Sequence, residues 1–491
     1  MSSLRLLAAV AVASGLCGCV VGPTYRAPSP PPGAVAAYGA ADPALETSDE
    51  PVDSWWRLYD DPQLDGLIQT AIVANTDLRA AGANLEAARA IFDAARSERS
   101  PSTTFEAGGV YGRDATTDEI LELGGARPAT TWLFDDIFSA SYELDLFGRI
   151  HRLVEASKAD EAAAVALRDT VQVAVVGEVA RTYVEICTLG EQIDVAQHSV
   201  DVATHEAKIT ADRNEAGANS RFDVVRTQAL EARAQAALPA LEGQRVATLL
   251  ELTALIGRTP ALAPKDVMGC RVQPHLAGRI AVGNGAGLLK RRPDVRAAER
   301  RLAAATARIG VATADLYPRI TLSGFYGGAA TDISALGTNP GLAWGVGPAI
   351  QWAFPNQLGP RAKVREARAD AATALAQFDG VVLKALKETE QALSLYAAEL
   401  RQRDALRLSK AKAHEAYGLA HEAFLAGSLS TLDLLTTEDA LIQADAAVAR
   451  SDAAVAHDEV ALFRALGGSW RSAFPSSAQN ALEAPRGRSH P

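Results

Sequence analysis

Trp344-Gly345-Val346-Gly347-Pro348-Ala349-Ile350-Gln351-Trp352-Ala353-Phe354 is the stretch that decides the fold. Its alternate residues Trp344, Val346, Pro348, Ile350, Trp352 and Phe354 are large and apolar, whereas those between them are Gly345, Gly347, Ala349, Gln351 and Ala353. A strand sends successive side chains to opposite faces, so this segment has one greasy face and one small, polar face. Membrane β-barrel strands need that pattern, with lipid outside and water inside. Residues 138–146 repeat it, with Phe138, Ala140, Tyr142, Leu144 and Leu146 alternating with Ser139, Ser141, Glu143 and Asp145. Weaker strands follow Pro101 (103–111) and Pro318 (319–326), and the connections 113–130 and 328–341, rich in Gly, Asp and Thr, read as extracellular loops. The expected lipid-facing residues are Trp344, Ile350, Trp352, Phe354 and Tyr142. On pattern alone, two soluble hairpins with half-buried faces are the competing reading. One chain then offers four strands, while single barrels start at about eight. A dimer would fill its lumen with side chains, and a trimer of twelve strands could leave a channel.

The strands interrupt helices. No proline occurs from 129 to 238 or from 361 to 474. The stretch between Gly148 and Gly217 would reach about 100 Å as one helix, and Leu167, Val171, Val175, Val179, Tyr183 and Ile186 step along one face of it by threes and fours. Leu386, Leu393 and Leu400 keep heptad spacing in the second long stretch, as do Leu302, Ile309 and Leu316 before Pro318. The pattern occurs twice. Asp77, Leu85, Ala95 and Pro101 match Asp294, Leu302, Ala312 and Pro318 at an offset of 217, and Ala216, Gly217, Asp223 and Gly257 match Ala426, Gly427, Asp433 and Gly467 at 210. This predicts one ancestral unit of helix, strand pair, very long helix, turn and helix, present at 55–257 and 290–470 with a connection at 258–289. Gly217 and Gly427 end helices, with Asn219/Ser220 and Ser428/Ser430 as possible caps for the next.

Composition agrees with a long helical protein and excludes other classes. The chain has 491 residues, 48 basic against 59 acidic, and removing Arg5 with the leader takes the charge from −11 to −12. Nucleic acid is therefore excluded as a partner on charge grounds. Four cysteines (Cys17, Cys19, Cys187, Cys270) are too few and scattered for a disulfide scaffold or a zinc site, and Cys187 reads as helix packing. Residues 1–18 have one early cation and a short apolar run, as a signal peptide does. They end at Leu16-Cys17-Gly18-Cys19, which resembles the lipobox of bacterial lipoproteins; that resemblance makes Cys19 the acylated first residue, and Val20 favours outer-membrane sorting. Residues 19–54, rich in Pro and Ala, read as an extended tether, and 471–491 as a disordered tail.

Several segments together resemble one family. They are Cys19-Val-Val-Gly-Pro-Thr-Tyr-Arg, Trp55-Trp56-Arg-Leu-Tyr-Asp-Asp-Pro-Gln-Leu-Asp, Tyr142-Glu-Leu-Asp-Leu-Phe-Gly-Arg, Arg291-Arg-Pro-Asp-Val-Arg-Ala-Ala-Glu and Ala314-Asp-Leu-Tyr-Pro-Arg-Ile. Spanning Cys19 to about Trp470, they resemble the outer-membrane factor family of TolC-like channels, in its efflux-lipoprotein branch typified by OprM and NodT. The resemblance implies a mainly α fold with a membrane β-barrel portion: a homotrimer with a twelve-stranded barrel and a long periplasmic α-barrel. It implies a periplasmic adaptor protein and an inner-membrane pump of the resistance-nodulation-division type as partners. It also places a periplasmic aperture at Leu432, Asp433 and Thr436, and adaptor-facing tips at Gly217, Asn219, Gly427 and Ser428. Thr436 stands where OprM-like members have an Asp, so Asp433, Glu438 or Asp439 would have to supply any acidic ring; solvated helix-face carboxylates are the plainer account of each.

Chemistry is otherwise absent from the sequence. There is no P-loop, G-x-S-x-G or H-E-x-x-H. His198/His205 and His414/His421 are seven apart, about 10.5 Å along a helix, too far for one metal. The Gly-rich 283–287 lacks the strand and helix of a phosphate loop. The expectation is a non-enzyme with no cofactor beyond lipid on Cys19, located in the bacterial outer membrane and extending into the periplasm. It would serve as a passive exit duct for small molecules. A protein-secretion duct and a lipid-anchored coiled-coil spacer without a pore are the alternatives.

Overall fold

A computed structural model describes residues 20–112, 130–276, 278–338 and 342–468. The elements in chain order are β1 (Glu46–Thr47), α1 (Pro62–Ala74), α2 (Thr76–Ser97), β2 (Ser102–Gly112), β3 (Thr131–Leu144), α3 (Arg149–Glu215), α4 (Arg221–Gln235) and α5 (Leu238–Leu255). They continue with β4 (Ile280–Ala281), α6 (Gly285–Arg291), α7 (Pro293–Ala314), β5 (Arg319–Ala330), β6 (Leu342–Gln351), α8 (Leu358–Leu425) and α9 (Thr431–Ala465). The two long helices are unbroken over 67 and 68 residues. The order α2-β2-β3-α3-turn-helix recurs as α7-β5-β6-α8-turn-helix, which is the internal repeat in three dimensions. One difference separates the copies. The returning helix of the second is continuous, whereas in the first it breaks between Gln235 and Leu238. Pro239 lacks the N–H that would bond back to residue 235, so the helix must restart. The signal peptide, Cys19, most of the first strand connection and the tail 471–491 lie outside the described residues. Among those described, no helix is long and apolar enough to cross a membrane.

The chain forms two compact units. The first holds one antiparallel sheet in the order β2-β3-β5-β6. Its register places Phe105, Phe138, Tyr326 and Trp344 side by side in one row, and Tyr142, Leu322 and Pro348 in another on the same face. The opposite face carries Ser102, Ser141, Ser323 and Gly347 in one row and Thr104, Ser139, Phe325 and Gly345 in the next. Thr104 and Ser139 share a hydroxyl hydrogen bond at 2.7 Å. The greasy face is uncovered: Trp344 is 71% exposed and Val346 72%. The strand itself ends at Gln351, so Trp352 and Phe354, expected on it, lie just past its end. They stack on each other at 4.7 Å, and the Trp352 indole donates to the Leu316 carbonyl at 3.1 Å. Residues 20–28 pack in the same unit, where Arg152 donates to the carbonyls of Val21 and Gly22. Gly22 has φ +86° and lies against Gly310, and a side chain on it would strike that backbone.

The second unit contains the main core. Trp55, Trp56, Leu64, Ile68, Val179, Tyr183, Ile186, Leu252, Leu393 and Leu462 are all essentially excluded from solvent, and Trp55 stacks on Phe463 at 4.7 Å. Residues 29–54 depart from the tether expected of them. Ala34, Tyr38 and Glu46 are buried, the amides of Gly39 and Ala40 donate to Glu390, and β1 pairs in parallel with β4. Seats on the connection between repeats and on α8 hold this segment down, despite a composition that suggests extension. The Gly-rich 283–287 does have a strand and a helix beside it, β4 and α6, contrary to expectation. However, side chains at Gly285 and Gly287 would meet the Ala34 carbonyl and the Glu50 carboxylate, so the cradle is filled by the chain's own N-terminal segment.

Cys187 is not merely packed. It forms a disulfide with Cys270 across a separation of 83 residues, tying α3 to the connection. Beside it the Arg245 guanidinium donates to the carbonyls of Ile186, Met268 and Cys270. A cross-link that closes a long loop restricts the unfolded chain, and removing it typically costs about 2–4 kcal/mol. Cys187→Ser with Cys270→Ser should therefore assemble normally but melt at a lower temperature, as read by thermal unfolding of the purified protein. Reductant should shift the native protein to the same midpoint and leave the double variant unchanged.

Candidate functional site: the helical tip

Two turns close the helical hairpins of the second unit, and they are built alike. Gly217 (φ +78°) and Gly427 (φ +75°) end α3 and α8 in the left-handed region. The next amides reach back, Ala218 to the Arg213 carbonyl at 2.8 Å and Ser428 to that of Ala423 at 2.9 Å. Nothing lies within 4 Å of where either glycine would carry a side chain, so backbone handedness, not space, demands glycine here. Of the possible caps, Ser220 and Ser430 are the ones used. Each hydroxyl accepts from the amide three residues on, at 3.2 Å in both hairpins, and donates to the carboxylate of Asp223 or Asp433 at 2.6 and 2.7 Å. Asn219 and Ser428 do not cap: Asn219 offers its carbonyl to Asn214, and Ser428 donates to Ala423. A small core of Ala420, Phe424 and Leu434 backs the second turn, and the Arg213 guanidinium lies 4.2 Å from the Phe424 ring centre.

Leu432, expected at an aperture, is 49% exposed on the first turn of α9. Thr436 is exposed one turn on, its hydroxyl donating to the Leu432 carbonyl at 2.8 Å. The three acids offered in place of an Asp at that position each have another engagement. Asp433 completes the cap, and Asp439 lies 3.6 Å from Arg233 of α4. Glu438 is buried, 3% exposed, and so is no solvated helix-face carboxylate. Burial, the nearby Glu206 and the adjacent Asp439 push its carboxyl up to about 7. Glu206 was not singled out from the sequence. The available signal was that it keeps step with Ala203, Ala207 and Thr210, all buried, on one stripe of α3.

Of the histidines, His198, His205 and His414 are exposed, and His421 is half-buried with Nε2 4.0 Å from Glu206. No group of three or more His, Cys, Asp or Glu that could hold a metal occurs among the described residues. Elsewhere the segments that carried the family resemblance are joints. Asp61 caps α1 and accepts from the Tyr183 hydroxyl at 2.6 Å. Asp145 accepts from the first amides of α3. Arg291 and Arg292 donate to the carbonyls of Leu466 and Ala465 at the end of α9.

This chain is 30% identical over 465 residues to the pyoverdine export outer membrane protein OpmQ of Pseudomonas putida, covering 91% of this chain and 95% of that one. It is 28% identical over 447 residues to nodulation protein T of Rhizobium leguminosarum bv. viciae, covering 91% and 89%. Among solved structures, the outer-membrane channel OprN matches with a TM-score of 0.85 and 33% identity, over 92% of this chain and all of the other. The fold is thus that of TolC-like trimeric channels, four strands per chain in a twelve-stranded barrel, with the long helices forming an α-barrel. The family model for outer membrane efflux proteins matches residues 67–258 and 286–468, and the chain belongs to that family.

Proposed function

We propose that this protein is the outer-membrane channel of a tripartite efflux system, a passive exit duct for small molecules. One observation carries the reading: a four-stranded sheet with an exposed apolar face, an opposite face that carries rows of hydroxyls and glycine, and two edges, along β2 and β6, left unpaired among the described residues. In hydrocarbon an apolar face is at home and a free edge is not, so the sheet must close with copies of itself around a wet lumen. A homotrimer provides that closure. The export of pyoverdine named for one relative favours a small-molecule cargo over a secreted protein.

Cys19 carries the lipid anchor, and the inner-membrane pump, of the resistance-nodulation-division type, supplies the energy through a periplasmic adaptor that meets the turns at Gly217 and Gly427. Leu432 narrows the periplasmic end. Asp433 contributes to that end through the cap it makes with Ser430, which fixes the first turn of α9 and with it the direction of Leu432.

The purified protein in planar bilayers should conduct as a trimer, and cutting Leu432 and Asp433 to Ala should raise its single-channel conductance. A monomeric mass with no conductance in either form would leave the poreless spacer as the better account. The sheet offers a paired test on adjacent residues. Val346→Arg puts a cation on the lipid face, at about 2–4 kcal/mol near the bilayer midplane, and should abolish heat-resistant trimer in outer-membrane extracts. Gly347→Arg points into open space on the other face and should assemble, with an altered ion preference. Cys19→Ser should lose labelling by radioactive palmitate and still form trimer.

A further inference from the structure

Glu438 and Glu206 are both buried, at 3% and 4% exposure, and they face each other from α9 and α3 about two turns from the turn at Gly427. The groups around them come from three helices. From α8 come Tyr417, whose hydroxyl is pushed up to about 12 by burial and by both carboxylates, and His421, 4.0 Å from Glu206. From α9 comes Asp439, and from α4 Arg233, which lies against Asp439. The Glu438 Oε2 atom is sealed from solvent and has no hydrogen-bond partner among the described residues. Two buried acids beside a third, with the Arg233 guanidinium on that third, form an arrangement that tolerates one proton fewer only at a cost. A cavity of about 370 Å³, lined by Gln192, Ser199, Arg233, Ile442 and Glu438 itself, adjoins α9 at this carboxyl.

We propose that Glu206 and Glu438 are a proton-operated latch on the helical tip: while Glu438 keeps its proton, α3 and α9 stay packed, and when it is lost the two carboxylates repel and release the start of α9. The inference rests on reading that end of the molecule as the channel's aperture. Its sign follows from the direction of the shift. A carboxyl raised above its ordinary range contributes packing stability that is full below that range and is lost as pH rises through about 7. The tip is therefore firmest in mild acid and loosens toward mild alkali.

The test uses the full-length trimer and two readouts. Amide hydrogen exchange over 203–214 and 431–440, corrected for the intrinsic pH dependence of exchange, should lose about tenfold or more protection between pH 6 and 8.5 in the native protein. Glu438→Gln, nearly isosteric and always neutral, should keep its protection throughout. Glu206→Gln should shrink the change and serves if the first variant fails to assemble. Single-channel conductance should rise over the same interval in the native protein and not in Glu438→Gln. An interval with no change in protection, or the same change in Glu438→Gln as in the native chain, overturns the latch, even if the protein conducts well. The expected change in protection without any conductance supports the latch and overturns the channel reading instead.

Discussion

A strand edge cannot be left open in hydrocarbon. Each unpaired backbone N–H or C=O in the bilayer core costs several kcal/mol, and this chain presents two such edges, along β2 and β6. No rearrangement of four strands in one chain removes them, because four strands cannot close. Closure by identical copies is the available solution, and it explains why the chain can afford an apolar face that would aggregate a water-soluble protein. The same requirement fixes the register. Slipping β6 by one residue would carry Trp344, Val346 and Ile350 into the lumen, and slipping β5 would carry Ser323 into lipid.

Closure also makes sense of the duplication. Each repeat delivers one antiparallel strand pair and one helical hairpin, so two repeats give four strands and two hairpins from one pattern. The likeness extends to hydrogen bonds: at both turns a serine hydroxyl bonds to the aspartate three residues on, Ser220 with Asp223 and Ser430 with Asp433, and the first adds a bond from the Ser220 amide to Asp223. Carboxylates next to the first amides of a helix are favoured by its dipole as well as by the cap. The acids at both turns are thus accounted for structurally before any role in conduction is assigned to them.

What could be read in the sequence follows the range of the forces involved. Alternation along β6 and the proline-free runs are local signals set by strand and helix geometry, and the elements they foretold are present, with β6 ending three residues early. The turn glycines were equally legible, because positive φ leaves a direct mark on residue choice. Long-range pairings left none. The Cys187–Cys270 disulfide joins residues 83 apart, one inside a long helix and one in the connection. The seating of residues 29–54 depends on Glu390 and on Gly285 and Gly287, hundreds of positions away. Composition alone made that segment look like a free tether. Glu438 looked like any surface acid on α9 because its burial is produced by α3 and α8, not by its neighbours in sequence.

The two hairpins differ in one respect that concerns how the tip could move. The returning helix of the second is continuous for 35 residues from Thr431 to Ala465, so a displacement at its start is carried along a stiff rod. That of the first is interrupted ahead of Pro239, and the cavity beside Glu438 is bounded partly by Ala237 and Ala240 at this interruption. A helix restarting at a proline has lost backbone bonds and deforms there more easily than elsewhere. The stiff element and the yielding one therefore face each other across unfilled space, with the buried acid on the stiff side. Farther along the same rod Glu459 is also buried, but the hydroxyls of Tyr59 and Tyr396 both donate to it, at 3.2 and 3.4 Å. Burial pushes this carboxyl up to about 7 as well, against the two hydrogen bonds. The contrast separates two buried acids on one helix. Glu459 is held by two phenols whichever way it is charged and anchors the rod in the core. Glu438 lies near a second carboxylate and its Oε2 has no hydrogen-bond partner among the described residues, so on the proposed latch its proton governs the end of the rod nearest the turn.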